Sequence, residues 1–143
     1  MLAPASVALQ YRPDLRLLVA RWLDESDPAR LPNEYAAILA GVREHAAGRL
    51  LLDLRRRSTP NPEGAAWVVA AWLPQLVAAL APQRPRLAYL VSPLRAQALR
   101  DNDSLRATAQ TATSRQHGYD LALFDDEGAA LRWLLEESAA GAP

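Results

Sequence analysis

The chain has 143 residues, half of them apolar, with 16 basic and 16 acidic side chains and no cysteine. That length suits one domain, placed at 1–138 with a frayed tail at 139–143, whose core is large enough to need no staples. The lack of thiols excludes disulfides and thiolate metal sites and fits a reducing compartment, and the cancelling charges remove the signature that nucleic-acid or anionic-membrane binding leaves.

The first residues, MLAPASVALQYRPDLRLLVARW, are interrupted by Gln10, Arg12, Asp14 and Arg16 before a signal-peptide core can form, so the expected location is the cytoplasm. Val7, Leu9 and Tyr11 alternate with smaller or polar residues, Pro13 and Asp14 break the run, and Leu15 to Trp22 is more apolar. This pattern predicts a strand, a turn and a second strand, paired as an antiparallel hairpin. After a polar linker, Asn33 is placed as the cap of a helix carrying Tyr35, Ile38, Leu39, Val42 and Ala46 at helical spacing, with Gly48 as its stop.

Leu50, Leu51, Leu52 and Leu54 form a continuous apolar run between Arg49 and Arg55, as expected of a central strand covered on both faces. Asp53 inside that run must be paired or accept hydrogen bonds, from the amides of the next loop, from Arg55 or from a neighbouring strand. Asn61, Pro62 and Glu63 fit the cap and first turn of a second helix. From Gly64 to Pro82 no residue is charged. About 20 apolar residues suffice to span a bilayer, but Pro74 and Gln75 sit at the centre of this stretch and its place between two strands explains it as a crossover helix. Pro74 removes a bond from the helix ladder, which predicts a kink or restart near residues 71–73.

Leu87 to Val91 reads as another buried strand, followed by Ser92 as a cap and a helix from Leu94; residues 101–116 predict a second, largely exposed helical piece. Tyr119 to Phe124 is the last strand. Asp125 or Asp126 then opens a helix with Ala129, Ala130, Trp133 and Leu134 on one side. The order ββαβαβαβα makes an α/β fold, a five-stranded mixed sheet with parallel βαβ crossovers and one antiparallel edge.

This order is similar to that of the STAS domains, the fold of bacterial anti-sigma-factor antagonists, and more closely to their small stand-alone bacterial members. The resemblance spans nearly the whole chain and lies in Trp22 ending the second strand, Glu34 and Tyr35 opening the first helix, LLLDLR at 50–55, the apolar helix with Trp67 and Trp72, RLAYLVS at 86–92 and FDDEGAALRWL at 124–134. It implies a non-enzymatic regulatory or protein-binding role. Regulatory STAS proteins are switched by phosphorylation of a serine in an Asp-Ser-Ser-Gly type sequence at the start of the helix after the central strand. Here that position reads Pro60, Asn61, Pro62, Glu63, Gly64, with no hydroxyl at the helix start. Glu63 acts there at most as a fixed negative charge, and Ser58 and Thr59, earlier in the loop, are the remaining candidate phosphoacceptors.

Arg55, Arg56 and Arg57 leave the carboxyl end of the central strand, where open α/β sheets bind ligands, so they are either an anion site or a solvated rim. His45 and His117 have no metal-ligand spacing, and no nucleophile elbow, P-loop or dinucleotide loop occurs, so no catalytic residue, cofactor or metal is expected. Trp67 and Trp72 lie about 140° apart on a regular helix and cannot share one narrow stripe. Each is then either core or an interface anchor for a protein partner or a second copy of the chain. A pocket for a small apolar or anionic ligand, between that helix and the sheet end, is the alternative; an enzyme built from residues outside known motifs is third.

Overall fold

The computed structural model describes residues 6–23, 28–57, 61–113 and 118–136. It is an α/β fold with one five-stranded mixed sheet. β1 (Val7–Arg12) pairs antiparallel with β2 (Leu17–Trp22), in register Val7 to Trp22. β2, β3 (Arg49–Asp53), β4 (Arg86–Leu90) and β5 (Asp120–Phe124) run parallel, and the spatial order β1-β2-β3-β4-β5 repeats the order in the chain. β2 begins two residues later than its apolar run because Leu15 and Arg16 are used by the turn, their amides bonding Arg12 and Pro13 and Arg16 taking a φ of 52°.

Parallel neighbours joined in sequence by right-handed crossovers place every crossover helix on the same face. That face carries the larger core, in which Leu18, Leu50, Leu52, Leu87 and Tyr89 pack under α1 (Leu31–His45), α2 (Pro62–Trp67) and α3 (Leu73–Leu80). The third crossover, α4 (Pro93–Asp101) and α5 (Asp103–Thr113), buries Leu105 alone among its described side chains. Helix α6 (Glu127–Leu135), the last described element, folds over the opposite face, where Ala130 and Leu134 cover Leu17, Val19, Leu51, Ala88 and Leu90.

Three helix starts follow from their caps. Asn61 Oδ1 accepts from Gly64 N–H at 3.1 Å, Ser92 Oγ from Arg95 N–H at 3.1 Å, and Asp126 Oδ2 from Ala129 N–H at 2.7 Å. At α1 the expectation fails at both ends. The helix opens at Leu31 with Pro32 in its first turn, where the missing N–H costs nothing, so Asn33 lies inside it. Ala46, not Gly48, closes it, in the left-handed region at φ 50° and ψ 43°.

Between α2 and α3 the backbone widens to a π-helical turn over Val68–Trp72, in which the Leu73 amide reaches back to the Val68 carbonyl. This is how the chain accommodates Pro74: the wide turn resets the ladder before the residue that has no donor to offer it. The whole run Pro62–Leu80 is long and apolar enough by length and composition to cross a membrane; in this fold it lies on the sheet and buries Val68, Trp72, Leu73, Leu76 and Leu80.

Candidate binding pocket at the carboxyl end of the sheet

Leu54 and Val91 directly follow β3 and β4, so they stand at the carboxyl end of the sheet. Around them the three crossovers diverge and leave a cavity of about 120 Å³. Leu31 and Tyr35 of α1 form one wall, Val68, Val69 and Leu73 of the apolar helix a second, and Leu99 and Leu105 of the α4–α5 pair a third, with Leu121 and Leu123 of β5 as floor. Asn61 and Gly64 line it at the start of α2. The lining is chiefly aliphatic, and the polar groups in it are few.

Two of those groups are a pair. The hydroxyls of Tyr35 and Tyr89 lie 2.8 Å apart, and both residues are buried. Burial pushes the Tyr35 phenol up to about 12 and that of Tyr89 well above its ordinary value, so both are neutral. Two neutral hydroxyls carry two protons. The contact between them uses one, and none of the described residues accepts the other.

Two arginines, Asn61 and Thr108 are the other polar residues of the lining. Arg57 lies in the loop after β3 with its side chain 9% exposed; its Nη1 is 3.3 Å from Oε1 of the fully buried Glu34, whose Oε2 accepts from Ser6 Oγ at 2.6 Å. The guanidinium also sits 5.9 Å from the centre of the Trp22 ring. Arg95, in the first turn of α4, donates from Nη1 to the Arg57 carbonyl at 3.1 Å, and its positive charge reaches both phenols.

The three consecutive arginines therefore separate. Arg57 turns to the pocket side and is neither rim nor solvated. Arg56 points outward, Nη1 donating to the Leu23 carbonyl at 3.3 Å. Arg55 crosses to the opposite face, where Asp53 accepts its backbone amide at 3.1 Å and its Nη2 at 2.9 Å, while Arg21 from the neighbouring strand donates to Asp53 at 2.7 Å. Glu127 of α6 closes this group, 2.7 Å from Arg21 and 3.1 Å from Arg55. Burial acts to raise the Asp53 carboxyl, and the bonds from Arg55 and Arg21 more than reverse that, holding it below the ordinary carboxylate range. The expected pairing of Asp53 with its loop, Arg55 and a neighbouring strand is what is found.

Trp72 is core, 1% exposed, with Nε1 donating to the Tyr35 carbonyl at 2.9 Å. Trp67 is half-buried, and both indoles meet the Tyr35 ring edge-on, at centroid distances of 6.1 and 4.8 Å. A regular helix would have separated the two rings; the π turn between them brings residues five apart towards one side. Glu63 is exposed in the first turn of α2. Ser58, Thr59 and His117 lie outside the described residues, and His45 stacks on Tyr11 at 4.0 Å. No group of three or more acidic or imidazole side chains placed to hold a metal occurs among the described residues.

No family model matches the chain, and no curated protein or solved structure matches it. The functional reading therefore rests on the site itself. Sequence patterns missed Tyr89, Arg95 and Glu34 as site residues. The usable signal was the Ser92–Pro93 helix start, which fixes Arg95 in the first turn above the carboxyl end of β4.

Proposed function

We propose that the chain is a cytoplasmic, STAS-like binding domain whose pocket holds a small, largely apolar ligand at the carboxyl end of the sheet. The observation that carries this reading is the aliphatic cavity between the apolar helix and the sheet end, with few polar groups in its lining: a tyrosine pair, two arginines, Asn61 and Thr108. Ligand sites in α/β sheets favour this place and this mixture of lining. The role is binding, not catalysis. The hydroxyls of the described lining are those of Tyr35, Tyr89 and Thr108, and no carboxylate or imidazole stands among the lining residues to activate them as a base. A ligand that occupies the folded state alone raises the melting temperature with its concentration. Screening small aliphatic and aromatic compounds by thermal shift tests the reading, and a screen in which none shifts the melting temperature overturns it.

A protein contact is the second reading, favoured by Leu94, 66% exposed on α4, and by the half-buried Trp67. The outward residues of the apolar run, Ala66, Ala70, Pro74, Gln75 and Ala78, offer no large anchor. Mass measured against concentration for the unaltered protein, Leu94→Glu and Trp67→Glu separates the readings: loss of a dimer in either variant supports the contact.

A further inference from the structure

We infer that the ligand of this pocket is a small carboxylic acid bound as its anion, the carboxylate accepting the one remaining O–H of the Tyr35–Tyr89 pair beside Arg95 and the hydrocarbon part lying among the aliphatic walls. This inference rests on the pocket being a ligand site and adds the chemistry of the head group.

Three observations converge on an anionic acceptor. The first is the proton count: the two hydroxyls touch at 2.8 Å, so one O–H remains to be satisfied, and it belongs to residues that are 3% and 8% exposed and line the cavity. A buried donor without an acceptor costs about 1–3 kcal/mol, and an oxygen acceptor on the ligand removes that cost. The second is the sign of the charge. The described lining contains two arginines, Arg57 and Arg95, and no acid, so the charged side chains that face the cavity are cationic. The third is the neutrality of the phenols themselves. A cationic ligand would find neither a carboxylate nor a phenolate in the described lining, whereas an anion finds a hydroxyl donor and a guanidinium.

The size limits the hydrocarbon. A dry apolar cavity of about 150 Å³ accommodates a benzene ring, so a cavity of about 120 Å³ fits one ring or a short chain. Long-chain acids are excluded unless their tail leaves the pocket.

Calorimetric titration with sodium benzoate, sodium hexanoate and toluene tests the head group. In the unaltered protein both carboxylates bind and toluene binds more weakly. The double variant Tyr35→Phe/Tyr89→Phe keeps both rings and removes both donors; it is expected to lose roughly ten-fold in benzoate affinity, the scale of a hydrogen bond to a charged group, while toluene affinity stays the same or rises. Arg95→Gln is expected to weaken benzoate and to flatten the salt dependence of its binding, again sparing toluene. Should the double variant fail to fold, Arg95→Gln decides the matter alone. Toluene binding without carboxylate binding, or benzoate affinity unchanged in the folded variants, overturns the inference and leaves the pocket as a purely apolar site. Failure of all three compounds to bind overturns the pocket reading itself.

Discussion

Arg57 and Glu34 meet at 3.3 Å in a position where neither side chain is more than 9% exposed, and the bond joins the loop after the central strand to the first turn of α1. Removing one member of a buried pair weakens the compensation of the other charge, at a cost of up to about 3–5 kcal/mol. Glu34→Gln and Arg57→Met are each expected to lower unfolding stability by that order. The combined Glu34→Met/Arg57→Met variant should recover part of the loss. Urea denaturation of the three variants measures this, and a double variant as unstable as the sum of the singles would contradict the pairing.

Trp72 and Trp67 touch the same tyrosine but differ in burial, so truncation separates them. Trp72→Ala removes a fully buried indole and its bond to the Tyr35 carbonyl, and is expected to cost about 3–5 kcal/mol. Trp67→Ala exposes less new surface and is expected to cost about 1–2 kcal/mol. Equal losses on denaturation would show that the π turn does not hold the rings as described.

The pH dependence at the alkaline end follows from Tyr35. Its folded value of about 12 lies above the unfolded value of about 10, so the native state retains a proton that the unfolded chain gives up. The contribution is complete below about pH 10 and is lost as pH rises towards 12; at about 1.4 kcal/mol per unit it amounts to about 3 kcal/mol. Tyr35→Phe should flatten the fall in stability across that window. An unchanged slope would mean that the phenol titrates freely.

Ala46 holds a left-handed conformation that a Cβ disfavours by about 1–2 kcal/mol. Ala46→Gly is therefore expected to raise stability by about 0.5–1 kcal/mol, after glycine's larger chain entropy is subtracted. A thermal melt of this variant below that of the unaltered protein would contradict the assigned cap.

Local chemistry wrote most of the framework legibly. Asn61, Ser92 and Asp126 announce their helices because a cap needs only residues three apart, and the leucines before Asp53 announce a buried strand because no solvent face interrupts them. The start of α1 was misplaced because Pro32 serves equally well just inside a helix as before one. The fate of the three arginines was hidden for a different reason. Arg57 finds its acid 23 residues away and Arg55 finds Glu127 72 residues away, so neither partner is visible to any local pattern. Pro74 signalled a disturbance at the right place, but a wide turn that carries the helix onward looks in sequence like a break. The pocket, drawn from all three crossovers, has no local signature beyond the start of α4.

The strands stand in space in the order in which they are translated. Each new strand finds the edge it must join already in place, and only one crossover separates it from that edge, so few sheet contacts wait for distant parts of the chain. Assembly can thus follow synthesis, with the N-terminal hairpin as template and the growing edge always the youngest strand. The pocket is the exception. Its floor and the α4–α5 wall arrive with the last third of the chain, so the cavity is closed only once the sheet has been completed through β5.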